Sequence, residues 1–182
     1  MKLIETGFSG LYIIQPDVFE DDRGYFFESY NQEKFNKLGI HFHPVQDNES
    51  LSSKGVIRGM HYQLNPVAQA KLIRVIDGEI LDVALDLRKD SPTFGKSFST
   101  LINSANKRQF FIPRGFAHGF SVLSEKAIIN YKCDNLYSPE FERGILYNDS
   151  YLGIDWMIDP DKETVSSKDL NNPVFANAEM NY

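Results

Sequence analysis

The chain of 182 residues carries four histidines, few enough to weigh one at a time. His61 lies in Ile57-Arg58-Gly59-Met60-His61-Tyr62-Gln63, with an arginine and a glycine directly upstream. An imidazole, with an ordinary pKa near ~6.5, takes up and returns protons at neutral pH, which makes His61 a candidate general base. Strict strand alternation sets Arg58 and His61 on opposite faces, whereas a bulge at Gly59 would turn both toward one cavity. A hydrogen-bonded core histidine is the plainer alternative. His118 closes the run Pro113-Arg114-Gly115-Phe116-Ala117-His118, a PxGxxH spacing whose proline and glycine make a turn ahead of the histidine. His41 and His43 flank an apparent loop at Pro44 and read as surface residues.

Three further residues could share in proton transfer. Tyr131 has the parity of Ala127, Ile129 and Cys133, so a strand there aims its phenol inward, where it needs a hydrogen-bond partner. Lys71 shares a face with Ile73 and Val75. An inward lysine is costly unless it meets an anion or serves in chemistry, and snorkelling to the rim is the alternative. Asp169 is compatible with a simple loop or cap aspartate, and spacing does not bring it to His61. The PxGxxH run resembles the second half-motif of the cupin jelly rolls. Metal-binding cupins carry an HxH pair in the first half, where this chain has His61-Tyr62-Gln63. A facial set of metal ligands is therefore incomplete, and no metal is expected.

The elements that must hold these residues are strands. The 24 aromatic residues, 14 of them Phe, together with β-branched clusters favour sheet over helix. Strands are expected over 11–14, 25–30, 56–63, 71–76, 79–87, 97–102, 109–112, 119–123 and 127–133, separated by turn residues. Over Glu79–Arg88, Leu81, Val83, Leu85 and Leu87 take one face and Asp82, Asp86 and Arg88 the other, the pattern of a strand with one buried side. One short helix is expected over 31–38, capped by Asn31 and stopped by Gly39. With no strand–helix alternation, the expectation is one all-β domain over 1–182. It would be a jelly-roll barrel with a loop-rich C-terminal tail from Asp159. The lone Cys133 excludes an internal disulfide, and no apolar run approaches a spanning helix. A net charge of −6 argues against a nucleic-acid partner. A cytoplasmic protein, off the membrane, is expected.

Read together, these segments resemble the dTDP-4-dehydrorhamnose 3,5-epimerase family, metal-independent cupin-type enzymes. The resemblance runs from about residue 3 to 170. It rests on Asp22-Arg23-Gly24-Tyr25-Phe26-Phe27-Glu28, Gln46-Asp47-Asn48, Arg58-Gly59-Met60-His61, Gln69-Ala70-Lys71-Leu72, the Pro113–His118 run, Tyr131-Lys132, Tyr137-Ser138-Pro139 and Ser167-Lys168-Asp169. It implies that His61 is the base, paired with Asp169, and that Tyr131 is the acid returning a proton from the opposite face. Lys71 would support the oxyanion. Arg23, Glu28, Gln46, Asp47, Asn48, Arg58, His118, Glu142 and Lys168 would line a dTDP-linked 4-keto-6-deoxy sugar, with Tyr137 stacked on the thymine. It also implies a homodimer with exchanged N-terminal strands and nucleotide contacts made across the interface.

The implied chemistry matches the residue types. A C4 ketone acidifies the hydrogens on C3 and C5. A base removes one to give an enolate, a cation stabilises the oxygen, and an acid across the ring reprotonates the carbon. No cofactor is needed. The alternatives are an epimerase of one centre or of a related nucleotide-linked keto sugar, a metal-dependent cupin enzyme, and a non-catalytic sugar-binding cupin. Of the departures from the family pattern, Arg114 in place of a common Glu adds positive charge expected near the barrel mouth and so bears on substrate choice.

Overall fold

Apolar alternation and turn residues become strands along most of the chain. The computed structural model describes residues 1–182. In chain order the strands are β1 (Lys2–Glu5), β2 (Tyr12–Gln15), β3 (Phe19–Asp21), β4 (Gly24–Phe26), β5 (Gln46–Ser53), β6 (Val56–Gln63), β7 (Lys71–Asp77), β8 (Glu79–Asp86), β9 (Ser97–Asn103), β10 (Gln109–Ile112), β11 (Phe116–Val122), β12 (Lys126–Cys133), β13 (Glu142–Gly144) and β14 (Thr164–Val165). Two short helices, α1 (Gln32–Lys37) and α2 (Ser167–Leu170), complete the regular structure with two single 3₁₀ turns. One sheet has the order β1-β2-β10-β7-β12-β5. The other runs β13-β6-β11-β8-β9, with β14 added in parallel on β6. The result is the expected all-β jelly roll. No helix is long and apolar enough to cross a membrane.

Three apolar layers hold the sandwich. Between the sheets lie Ile73, Val75, Ile80, Ala84, Phe110, Phe120 and Ile129, all buried. Outside the first sheet, α1 drops Phe35 onto Ile14, Leu72 and Phe111. The helix starts where Asn31 accepts a hydrogen bond from the Lys34 amide at 3.1 Å, as its cap position requires. Outside the second sheet, Leu81, Val83, Leu85 and Leu87 meet Trp156 and Phe175 from the C-terminal tail.

Two expectations are corrected here. β8 is buried on both faces: its leucine side is covered by the tail, and Asp82 and Asp86 are also fully buried. By alternation these polar residues belong on a solvent face, but they face the interior: Asp86 has partners on both oxygens, whereas Asp82 is bonded through Oδ1 alone. Asp86 takes hydrogen bonds from Arg88 and Ser91 at 2.7 Å and 2.6 Å. The strand expected over 25–30 ends at Phe26 and pairs only with β3. Beyond it the chain turns so that the Tyr30 hydroxyl donates to the Phe42 carbonyl at 2.6 Å over α1. Within the chain the N-terminal strands β1 and β2 lie in its own first sheet. The tail from Asp159 is loop-rich, as expected, and carries β14 and α2 against β6.

Candidate active site

The open end of the sandwich is lined from both sheets. In the first sheet, antiparallel register puts Gln46, Cys133 and Lys71 in one cross-strand row and Asn48, Tyr131 and Ile73 in the next. Gln46, Asn48, Lys71, Tyr131 and Cys133 all face a polar cleft of about 120 Å³. The second sheet closes it with His61, Gln63 and Glu142, and the loop after β12 adds Tyr137. Alternation along β5 gives its two faces different fates. Asp47, between Gln46 and Asn48, points away and pairs with Asn130 at 3.0 Å and Lys132 at 2.6 Å.

The wall bearing His61 depends on the bulge at Gly59. His118 pairs with His61 and Phe120 with Arg58, so Gly59 and Met60 stand against Gly119 alone. Glycine is required there: at φ +140 a Cβ on Gly59 would lie 2.5 Å from the Gly119 Cα. The extra residue brings Arg58 and His61 to one hollow beside the tail. It also aims the Gly59 amide at the Asp169 Oδ2, 3.3 Å away. Asp169 itself is delivered by α2, whose cap Ser166 follows directly on β14 and so on the edge of β6. Across 108 residues of sequence its Oδ1 lies 2.6 Å from His61 Nε2. Burial works against this carboxylate, but the hydrogen bonds to His61 and from Gly59 hold its pKa below the usual aspartate value.

The opposite wall carries two unsatisfied proton donors. Tyr131 is half-buried, and burial pushes its phenol pKa up with no hydrogen bond acting on it. The bland alternative of a core tyrosine bonded to backbone does not describe it. Lys71 makes no ion pair, and burial pulls its pKa down. At the rim, Glu142 accepts from Tyr137 at 2.7 Å and from Lys168 at 2.6 Å. Burial opposes the Glu142 carboxylate, and these two hydrogen bonds still hold it below its ordinary pKa. Arg58 donates to Ser52 at 3.1 Å.

Other residues singled out by sequence lie apart from the cleft. His118 is sealed inside the sandwich, its Nε2 2.6 Å from Asp82 Oδ1. Arg23 sits on the β3–β4 turn, paired with Asp21 and largely in solvent. Glu28 pairs with Lys34 and accepts from Asn31. The Arg114 charge is met by Asp134 at 3.0 Å and borders a separate groove with His41 and His43, so it does not face the cleft. No three potential metal donors converge anywhere in the fold. Sequence reasoning missed Gln63 and Asp82. Gln63 accepts from the Ser138 amide at 2.8 Å and so fixes the loop that carries Tyr137.

A jelly roll whose mouth gathers proton-transfer groups in place of metal donors defines the class, the cupin-type sugar isomerases. The chain belongs to the dTDP-4-dehydrorhamnose 3,5-epimerase family, whose profile matches residues 5–177. It is 48% identical over 181 residues to the dTDP-4-dehydrorhamnose 3,5-epimerase of Methanothermobacter thermautotrophicus, covering 96% of this chain and 97% of that one. The crystal structure of the corresponding Elizabethkingia anophelis enzyme superposes with a TM-score of 0.94 at 52% identity, over 97% of both chains. That of the Legionella pneumophila dTDP-6-deoxy-D-glucose 3,5-epimerase, in complex with dTDP-4-keto-L-rhamnose, gives 0.92 at 45% identity, over 97% of this chain and 93% of that one.

Proposed function

We propose that this protein epimerises dTDP-4-dehydro-6-deoxy-D-glucose at C3 and C5 to dTDP-4-dehydro-L-rhamnose, a step of dTDP-L-rhamnose synthesis. The observation that carries the reading is one cleft with a carboxylate-held histidine on one wall and a tyrosine hydroxyl free of internal hydrogen bonds on the other. His61 removes the proton from C3 or C5, and Asp169 holds its ring and tautomer. The electron pair moves onto the C4 oxygen, where the Lys71 ammonium offsets the developing charge. Tyr131 then donates its proton to the other face of the carbon, and solvent resets both groups. No metal or cofactor takes part.

Around the sugar, Gln46, Asn48, Arg58, Glu142 and Lys168 bind the nucleotide-linked substrate, and Tyr137 at the rim stacks on the base. Its side chain is exposed and its amide donates to Gln46 at 2.8 Å, which fits a stacking platform fixed at the cleft edge. His118 contributes from beneath the cleft. Arg23 and Glu28 are assigned to a neighbouring subunit's site, with Asp47 near the shared edge strand. The proposal is a homodimer joined through its N-terminal segments, since the β3–β4 hairpin leaves Phe19, Tyr25 and Phe26 exposed at 66%, 56% and 68%. Light scattering is expected to give twice the 20.9 kDa chain mass, and a fully active monomer would refute it. The cytoplasm, where nucleotide sugars are made and used, is the proposed compartment.

The test of the reaction is NMR of the keto sugar incubated with protein in deuterated water. Deuterium at both C3 and C5 of inverted product is expected. Exchange at one carbon alone would assign a single-centre epimerase, and no exchange would remove the enzymatic reading. Activity is expected to survive exhaustive chelation, and its loss with a stoichiometric metal would contradict the metal-free mechanism.

A further inference from the structure

We propose that Asp82 is a positioning residue for Lys71: it is the buried counter-charge that keeps the lysine ammonium protonated beneath the substrate's carbonyl oxygen. Both side chains point into the space between the two sheets. Lys71 has the parity of Ile73 and Val75 on β7, and Asp82 that of Ile80 and Ala84 on β8, and those four neighbours share the core between the sheets. Asp82 is fully buried. One oxygen, Oδ1, is taken by His118 at 2.6 Å, while Oδ2 has no hydrogen-bond partner in the chain. A buried carboxylate oxygen without a partner is costly, and such a group persists where its charge is used.

Elimination points the same way. Three groups act on Lys71 through their charge, namely Cys133, Asp82 and Glu142. Burial pushes the Cys133 thiol up to about 11, so it carries no charge at neutral pH. Glu142 is already bound to Lys168 and Tyr137. Asp82 is left as the carboxylate with a free oxygen, Oδ2, and its burial makes its field reach farther than that of a solvated carboxylate. His118 fixes the carboxylate from the strand beside it, since β11 pairs with β8 at His118 and Ala84. Oxyanion support needs a charged lysine, so the counter-charge acts on the rate through Lys71 without touching substrate.

The test follows Lys71 directly. In protein carrying isotopically labelled lysine, the Lys71 side-chain signal is assigned from its loss in Lys71→Met and titrated by NMR. Asp82→Asn keeps an oxygen for His118 and removes only the charge. Its Lys71 midpoint is expected to fall by about one unit or more, the usual effect of losing a nearby opposite charge. The alkaline limb of kcat should fall with it, while KM stays near the wild-type value. The groups that also face Lys71 are His61, His118, Tyr131, Cys133 and Glu142. All are unchanged in this variant, so a shift belongs to Asp82. An unmoved Lys71 titration overturns the proposal even if the rate drops. The rate arm rests on the epimerase reading, whereas the titration does not, so the two can fail separately. If Asp82→Asn does not fold, Lys71→Met/Asp82→Asn should, because the uncompensated ammonium is gone. Failure of both overturns the assignment.

Discussion

Two histidine–aspartate pairs sit side by side in this fold. His61–Asp169 and His118–Asp82 have the same Nε2–Oδ1 distance, 2.6 Å, and the two histidines are cross-strand partners. Exposure separates them: the His61 side chain is 31% accessible and that of His118 9%. Asp169 comes from the tail and has a backbone amide on its second oxygen, whereas Asp82 comes from a central strand and its second oxygen is bare. Burial drives the His118 pKa down in spite of the facing Asp82 carboxylate. A pair at the mouth can exchange protons with substrate, and a sealed pair holds a charge in place. The same two side chains at the same distance are thus suited to different tasks, proton exchange at the mouth or a fixed buried charge, according to what surrounds them.

Breaking each pair should therefore cost different quantities. His61→Asn has the largest effect, a loss of kcat approaching ~10⁴-fold with little change in melting temperature, because no other base faces the ring. His118→Ala should instead destabilise the fold by about 3–5 kcal/mol, as Asp82 is left buried with neither oxygen paired. Denaturant unfolding measures it, and a fully stable His118→Ala variant with a raised KM would make His118 a direct substrate contact. Asp169→Asn should lower kcat by about 10²-fold through loss of imidazole orientation, with KM changed less, read from steady-state kinetics.

The smallest effect is a pH dependence of opposite sign in activity and stability. The folded-state pKa of Lys71 is lowered, so between that value and the ordinary 10.5 the unfolded chain binds more protons. Activity should fall through this window as the ammonium is lost, while wild-type stability rises relative to Lys71→Met. Below the window the Met variant keeps its full advantage. Parallel urea melts of the two proteins across the range check it, and a constant difference would mean that Lys71 is not desolvated when folded.

Much of this was legible in the sequence. β6 and β10 coincide with the expected strands because their apolar residues and flanking turns leave no other reading. β5 was invisible, since Gln46–Ser53 has only Leu51 as an apolar residue. It is an edge strand with one face on a polar cleft and the other in solvent. The bulge at Gly59 could be anticipated from the local residues, but its partner Asp169 could not. No spacing rule connects a strand to a helix 108 residues later, and only the family resemblance joined them. Alternation alone makes Asp82 solvent-facing because a strand's polar face is ordinarily wet, and here that face is the interior.

The central claim, a base and an acid on opposite walls, is tested most directly by Tyr131→Phe in deuterated water. Proton removal by His61 should continue while return from the far face loses its donor. Deuterium should then enter C3 or C5 of recovered substrate faster than inverted product forms, with net inversion slowed ~10²–10⁴-fold. Inversion at the wild-type rate would contradict the account and return Tyr131 to the role of a core tyrosine.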